Sequence, residues 1–138
     1  MSTTTTEDIL EDLAFFDDWE ERYKYIIELG RELPAFDEAL QTPSRLVKGC
    51  QSNVWLDVEV ADKCLSFRVT SDAIIVRGLL ALVLAAYNDR TAAQITAFDM
   101  ERYFKQLDLE QHLSPTRGNG LRAIVAKIQA IAAAAPAQ

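Results

Sequence analysis

The chain has 138 residues, of which 49% are hydrophobic and 25% charged, the composition of a globular protein and not of a disordered or fibrous one. At this length we expect a single domain over residues 1–138, with frayed ends at about 1–6 and 134–138. The 21 acidic and 14 basic residues give a net charge of −7, which disfavours binding to nucleic acid or to an anionic membrane surface.

No segment resembles a membrane span or a secretory signal. The longest apolar run, residues 79–87, is far shorter than the ~20 residues that a transmembrane helix needs. Residues 1–8 contain neither the basic region nor the apolar stretch of a signal peptide. We therefore expect a cytoplasmic protein.

The inventory of metal ligands is small. The chain has two cysteines, Cys50 and Cys64, and one histidine, His112. A structural zinc site takes four Cys or His ligands, and an iron–sulfur cluster usually takes four thiolates. We therefore expect no metal site.

The first third of the sequence predicts helices. Apolar residues recur at helical spacing over residues 9–16. Asp18 and Glu21 have the spacing of a capping box, which predicts the start of a second helix there. Gly30 is the expected end of that helix, and a short helix is expected over residues 35–40.

The middle of the sequence predicts a hairpin. Apolar and polar residues alternate over residues 54–60 and again over 65–70, with a short turn between them. Residues 45–48 are the expected third, short antiparallel strand. Cys64 begins the second strand, on the face opposite Leu65.

The last half returns to helix. Ser71 or Asp72 is the expected cap of a strongly apolar helix over residues 73–87, which would form the centre of the core. Two further caps and a polar loop before a last helix complete the pattern: Thr91, Asp99, loop 114–118 and helix 119–133. The expected architecture is α+β, with a small antiparallel sheet of about three strands packed against helices.

Cys50 is the residue with the clearest chemistry. Its neighbours Lys48, Gly49, Gln51 and Ser52 are polar or flexible, whereas a buried cysteine usually lies in an apolar run. Lys48 would favour the nucleophilic thiolate, and Gly49 would let the loop change conformation. The residues alone leave a reactive thiol and an inert loop cysteine as equal alternatives.

Four further residues carry weaker signals. Cys64 lies among polar strand positions, which favours a cysteine without chemistry. His112 has the chemistry of a base for a cysteine nucleophile, but without a third orienting group a packing or capping role is favoured. Arg117 opposes the helix dipole near a helix start and calls for a carboxylate partner, whereas Asp72 suits such a position as an N-cap.

Three segments stand out as motifs: GCQSNVW at residues 49–55, SDAIIVRGL at 71–79 and HLSPTRGNGL at 112–121. In this order and at this spacing they resemble the SufE family of sulfur-acceptor proteins. Residues 19–30 also look like the opening helix of that family. The resemblance therefore covers nearly the whole chain.

The resemblance implies a covalent sulfur carrier and not a self-sufficient enzyme. Such a protein takes persulfide sulfur onto its cysteine, here Cys50, from a cysteine desulfurase of the SufS or CsdA type and stimulates that enzyme. It passes the sulfur to the iron–sulfur cluster assembly machinery, such as a scaffold complex of the SufBCD type. Pyridoxal phosphate belongs to the desulfurase, and no cofactor is implied for this chain. The implied fold is that of the NifU and IscU-like scaffolds.

Carried over by position, Asp72 and Arg117 match polar positions that flank the active cysteine and the partner-facing surface. The other expected supporting residues are Lys48, Gly49, Gln51, Ser52 and His112. Lys48 departs from the family pattern, where a proline is expected, which suggests a more mobile loop and a more acidic thiol. Cys64 has no counterpart in the pattern.

Other functions stay open at this point. An iron–sulfur scaffold needs about three cysteine ligands, and this chain has two. A Cys–His hydrolase would use His112, and a plain interaction domain would not need Cys50. The oligomeric state is left as monomer or homodimer.

Overall fold

The computed structural model describes residues 5–49, 52–109 and 112–135. Within these ranges the chain forms six α-helices and a three-stranded antiparallel sheet, which confirms the predicted α+β class. In chain order the elements are α1 (Thr6–Ala14), α2 (Trp19–Arg31), β1 (Val54–Ala61), β2 (Cys64–Ser71), α3 (Ile74–Tyr87), β3 (Arg90–Thr91), α4 (Ala92–Ala97), α5 (Met100–Leu107) and α6 (Pro115–Ala134). Two 3₁₀ turns, Glu38–Leu40 and Pro43–Arg45, lie between α2 and β1.

Helix α2 starts where the sequence predicts and ends later. The Asp18 carboxylate accepts a hydrogen bond of 2.8 Å from the backbone N–H of Glu21, which confirms the cap. Gly30 does not end the helix, because α2 continues to Arg31. Gly30 is instead buried against α3, where a Cβ placed on it would lie 2.6 Å from the backbone nitrogen of Gly78. The glycine thus permits a close helix crossing.

The hairpin of β1 and β2 has the predicted antiparallel pairing, from Val54 opposite Ser71 to Ala61 opposite Cys64. Asp62 and Lys63 both have positive φ, the conformation of a two-residue type I′ turn. Leu65, Phe67 and Val69 of β2 are buried, whereas β1 is buried only at its start and Val60 is 59% exposed. The far end of the hairpin therefore extends beyond the core.

The third strand lies elsewhere than predicted. Arg90–Thr91 pairs with β2, and residues 45–48 form only a single bridge, between Leu46 and Trp55. The 3₁₀ turn at Pro43–Arg45 bends the chain just before this bridge, so no continuous strand runs beside β1 in this described segment. The predicted helix over 35–40 is likewise reduced to the 3₁₀ turn at Glu38–Leu40.

Helix α3 forms the centre of the core, as predicted, but neither Ser71 nor Asp72 is its cap. Its N-cap is Ala73, which makes no side-chain capping bond. The Ser71 hydroxyl accepts from the Ala73 N–H within the preceding turn, and the Asp72 carboxylate bonds to another segment. Leu79, Leu82 and other apolar side chains of α3 are fully buried.

The predicted caps at Thr91 and Asp99 are confirmed for α4 and α5. Helix α6 starts at Pro115, four residues before the predicted start, because Ser114 caps it and proline fits the first helical turn. Arg117 therefore lies in that turn and not in a loop. The Gln129 side-chain amide donates to the Tyr87 hydroxyl (2.8 Å) and the Ile95 carbonyl (2.9 Å), joining α6 to α3 and α4.

In the described parts of the chain, no helix has the length and apolar character to cross a membrane. The expectations of a single domain and of frayed ends stay predictions.

Candidate functional site

The sequence predicts a loop over residues 48–53, which contains the candidate thiol, and the described residues on either side of this span, Val47 and Val54, are bonded to each other. The backbone N–H of Val47 donates to the Val54 carbonyl over 2.8 Å. Cys50 and Gln51 lie outside the described residues, so the site is built from their neighbours. The described residues that flank this predicted loop are thus held by β1.

Asp72 ties the end of this loop to the start of α3. Its Oδ1 accepts from the Asn53 N–H over 3.2 Å, and its own N–H donates to the Asn53 carbonyl over 3.3 Å. The carboxylate is exposed to solvent. Asp72 therefore ties Asn53 to the start of α3 and does not cap that helix.

The start of the loop rests on α6. Gly49 has a φ of +94°, in the left-handed region that favours glycine, and a Cβ placed on it would lie 3.2 Å from the Cβ of Ala123. Any other residue at position 49 would strain the backbone and press on the helix. Lys48 is exposed and Ser52 is half-buried.

Arg117 is exposed in the first turn of α6, where its backbone N–H donates to the Ser114 hydroxyl over 3.3 Å. It is six residues before Ala123, which corresponds to about 9 Å along the helix axis. The same helix therefore carries Arg117 and supports Gly49. Among the ion pairs between described residues none involves Arg117, so the expected carboxylate partner is not found there.

His112 packs against α2. Its ring stacks on Trp19, with 3.9 Å between ring centroids and 21° between planes. Its carbonyl accepts from the Tyr23 hydroxyl, and its Nε2 lies 3.9 Å from a carboxylate oxygen of Asp108. The Arg22 guanidinium lies 5.2 Å from the centroid of the Trp19 ring. These contacts hold the segment before α6 in place.

A cleft of about 250 Å³, which the sequence reasoning missed, lies beside this segment. It lies where the end of α5 meets the start of α6, and its lining is mainly apolar: Phe104, Leu109, Leu113, Leu121, with Ser114, Gly118, Asn119 and Arg122. The only sequence signal for it was the motif at residues 112–121, several of whose residues line the cleft.

Cys64 is a free, half-buried cysteine at the far end of the hairpin, opposite Ala61 and Thr91. The seven residue steps from Val54 to Ala61 correspond to about 23 Å of strand, so Cys64 is remote from the base of the loop. Within the described ranges, no three His, Cys, Asp or Glu side chains are grouped to hold a metal ion.

Comparison with known proteins shows to which family the chain is related. A family model described as "SufE: Fe-S metabolism associated domain" matches residues 7–132. An uncharacterized SufE-like protein of Rhizobium meliloti (strain 1021) is 43% identical over 130 residues, covering 91% of this chain and 93% of the relative. A second uncharacterized SufE-like protein, from Rhizobium etli, is 44% identical over 127 residues, covering 89% of this chain and 86% of the relative.

The fold also matches a solved structure, the solution structure of a hypothetical protein from Thermus thermophilus. The TM-score is 0.76 over 96% of each chain, and the sequences are 17% identical, so this likeness concerns the fold alone. The family model and the two relatives span most of the chain, including the segment around Cys50. The chain therefore belongs to the SufE family, whose domain is associated with Fe–S metabolism.

Proposed function

We propose that the protein is a sulfur acceptor and carrier whose covalent site is Cys50. The Cys50 thiolate attacks the outer sulfur of a persulfide on a cysteine desulfurase. The sulfur–sulfur bond of the donor breaks, a new one forms on Cys50, and the donor cysteine leaves as a thiolate. The outer sulfur keeps its proton, and no oxidant or reductant is needed.

The family match over residues 7–132 carries this proposal, because it spans the GCQSNVW segment and the family is associated with Fe–S metabolism. The geometry around the segment supports it. A carrier needs one nucleophile on a well-held loop and not a full catalytic constellation. The bonds from Val47 to Val54 and between Asn53 and Asp72 hold the two ends of such a loop.

The neighbours of Cys50 have proposed supporting roles. The exposed Lys48 ammonium favours the thiolate form of a nearby cysteine. Arg117 and Asp72 contribute to the surface that meets the partner, Gly49 sets the loop against α6, and Gln51 and Ser52 complete the loop. His112 supports the site from a distance, by holding the segment that leads into α6.

The proposed donor is a cytoplasmic cysteine desulfurase of the SufS or CsdA type, which brings its own pyridoxal phosphate. The proposed recipient is an iron–sulfur scaffold complex of the SufBCD type. By itself the chain would turn over no substrate, and its measurable effect would be faster release of sulfur by the desulfurase.

The test combines the full chain with the desulfurase of the same organism, pyridoxal phosphate and cysteine, followed by peptide mass spectrometry without reductant. We expect the Cys50 peptide to gain the mass of one sulfur atom in the wild type and in Cys64→Ser, the matched control. We expect no gain in Cys50→Ser. Sulfur on Cys64 alone, or on neither cysteine, would overturn the proposal.

A further inference from the structure

Phe15 is the most exposed large hydrophobic side chain in the described part of the chain. It directly follows α1 and is 88% exposed, against 59% for Val60 and 54% for Ile74. Aromatic side chains bury large areas when they are covered, and phenylalanine is among the residues enriched in protein interfaces. The side chain therefore offers a large apolar contact that the protein itself does not use.

The backbone around Phe15 is held from both neighbouring helices. Its N–H donates to the Asp12 carbonyl over 3.1 Å, and the Phe16 N–H donates to the Leu13 carbonyl over 3.2 Å. The Phe16 carbonyl in turn accepts from Nε of Arg22 in α2 over 3.2 Å. Single exposed apolar residues are common on protein surfaces, but this one is displayed on a fixed turn. Little backbone entropy would therefore be lost when it binds a partner.

Negative charge surrounds this side chain. Residues 7–21 contain eight acidic residues and no basic one, and all eight are exposed. Four of them flank Phe15 and belong to none of the ion pairs between described residues: Glu11, Asp12, Asp17 and Asp18. Glu11 and Asp12 also lie in the last turn of α1, where the negative end of the helix dipole makes an acidic side chain unfavourable. A cationic partner surface would relieve this repulsion.

The turn with Phe15 lies on a different part of the molecule from the candidate thiol. Trp19, four residues after Phe15, stacks on His112 just before the start of α6. Gly49 lies beside Ala123, eight residues after the first residue of α6, which corresponds to about 12 Å along the helix axis. A protein that approaches the thiol therefore need not cover this turn.

We propose that Phe15 and the four acidic residues that flank it, here called the Phe15 surface, dock into an apolar pocket rimmed by lysine or arginine on the protein that receives the sulfur. The inference rests on the proposed function and adds a binding surface outside the candidate site. The recipient is the occupant because it meets the carrier after the donor has loaded Cys50. A surface away from the thiol lets it bind before the donor has left.

The acidic residues disfavour other occupants of the Phe15 surface. Nucleic acid and an anionic membrane would bring negative charge against them. A second copy of this chain, docked through the same surface, would place like charges opposite each other. A basic protein surface is the occupant whose charge is complementary.

The test titrates the full chain with the recipient scaffold complex of the same organism at about 0.1 M and about 0.4 M NaCl, and separately with the desulfurase. Phe15→Ala removes the aromatic side chain, and Asp17→Lys reverses one charge. The matched controls are Val60→Ala and Glu59→Lys, which make the same kinds of change at the exposed end of the hairpin. Circular dichroism checks that each variant is folded.

We expect Phe15→Ala to weaken binding to the recipient about tenfold or more, because an anchor side chain is lost. Asp17→Lys should weaken it about fivefold at the lower salt concentration and less at the higher one. Both controls should change binding by less than about twofold. Binding to the desulfurase should not change in Phe15→Ala.

Equal effects of Phe15→Ala and Val60→Ala on recipient binding would overturn the proposal, and so would weaker binding to the desulfurase in place of the recipient. Wild-type protein that did not bind the recipient would overturn it as well. Peptide mass spectrometry separates this proposal from the proposed function. Phe15-dependent binding without sulfur on Cys50 would refute the carrier function alone, and sulfur on Cys50 with Phe15-independent binding would refute the Phe15 surface alone.

Discussion

Single side chains determine how firmly the candidate loop is held. Asp72 accepts from the Asn53 N–H and donates its own N–H back to the Asn53 carbonyl, so one residue makes two bonds to the end of the loop. Its carboxylate is exposed, and water competes for the same donor. Loss of the hydrogen bond to the carboxylate should therefore change the frequency of local opening at Asn53 more than it changes the free energy of global unfolding.

We predict that Asp72→Ala increases the rate of amide hydrogen exchange at Asn53 about three- to tenfold, because a net hydrogen bond of about 1 kcal/mol is lost. Exchange measured by NMR at neutral pH checks this. Asp72→Asn keeps a carbonyl oxygen at the same position and should stay close to wild type. Unchanged exchange in Asp72→Ala would show that the carboxylate does not hold the loop.

Tyr103 links the stability of the core to pH. Its side chain is buried, its hydroxyl donates to the Leu82 carbonyl over 3.0 Å, and burial raises its pKa above the ordinary value of 10.0, with a further contribution from Glu7. A raised pKa in the folded state means that the stabilisation is complete below about pH 10. It is lost progressively as the pH increases above that value.

We predict that the free energy of unfolding, measured by urea titration, decreases between about pH 10 and about pH 11.5. Tyr103→Phe should lower stability by about 1 kcal/mol at about pH 8, because the hydrogen bond to Leu82 is lost. The same variant should show a shallower decrease above about pH 10, since one buried phenol no longer ionises on unfolding. If the free energy of unfolding of Tyr103→Phe decreased as steeply as that of the wild type, other groups would be the cause of the loss of stability at alkaline pH.

Among the elements, α2 and α3 cross with their backbones in close contact. Gly30 and Gly78 bring the two backbones so close that a Cβ on Gly30 would lie 2.6 Å from the Gly78 nitrogen and 2.8 Å from the Arg77 carbonyl carbon. Backbone atoms cannot move aside as a flexible side chain can. The two helices would therefore have to separate.

We predict that Gly30→Ala lowers the free energy of unfolding by about 2–3 kcal/mol, as measured by chemical denaturation. The matched control is Gly118→Ala in α6, where the nearest atom to an added Cβ is 3.9 Å away. There the higher helix propensity of alanine should raise stability by about 0.5–1 kcal/mol. If Gly30→Ala left the free energy of unfolding unchanged, the two helices could move apart without loss of stability, which would contradict the prediction.

The elements also show what the sequence could predict. The caps at Asp18, Thr91 and Asp99 were predicted because a cap is a local pattern of three or four residues. Gly30 was misread as a helix end because its role depends on α3, which is distant in sequence. The third strand was misplaced because β3 needs the partner strand β2 beside it.

In the candidate site, too, some features were predicted from local patterns of residues and others depend on how the chain folds. Cys50 and Asp72 were singled out from motifs, which are contiguous in sequence. The stacking of His112 on Trp19 joins segments that are far apart in the chain, and the cleft beside it depends on how the end of α5 packs against the start of α6. No local pattern encodes such contacts, so only the folded structure shows them.

For the molecule as a whole, α3 contacts α1, α2, α4, α6 and β2, so the described elements share one hydrophobic core. We predict a single cooperative unfolding transition with a free energy of about 5–15 kcal/mol. Circular dichroism would follow the helices, while fluorescence would follow Trp19 in α2 and Trp55 in β1. Transitions at different denaturant concentrations would contradict the expected single domain.

The bond pattern of Gln129 has a consequence for biosynthesis. Its amide satisfies the Tyr87 hydroxyl and the Ile95 carbonyl, and the neighbouring Ile128 and Ala132 are buried. Helix α6 is the last of the described elements to be translated, so a ribosome-bound chain lacking it exposes this apolar and polar surface on α3 and α4. During translation the core stays open to chaperones and proteases until α6 has emerged and packed.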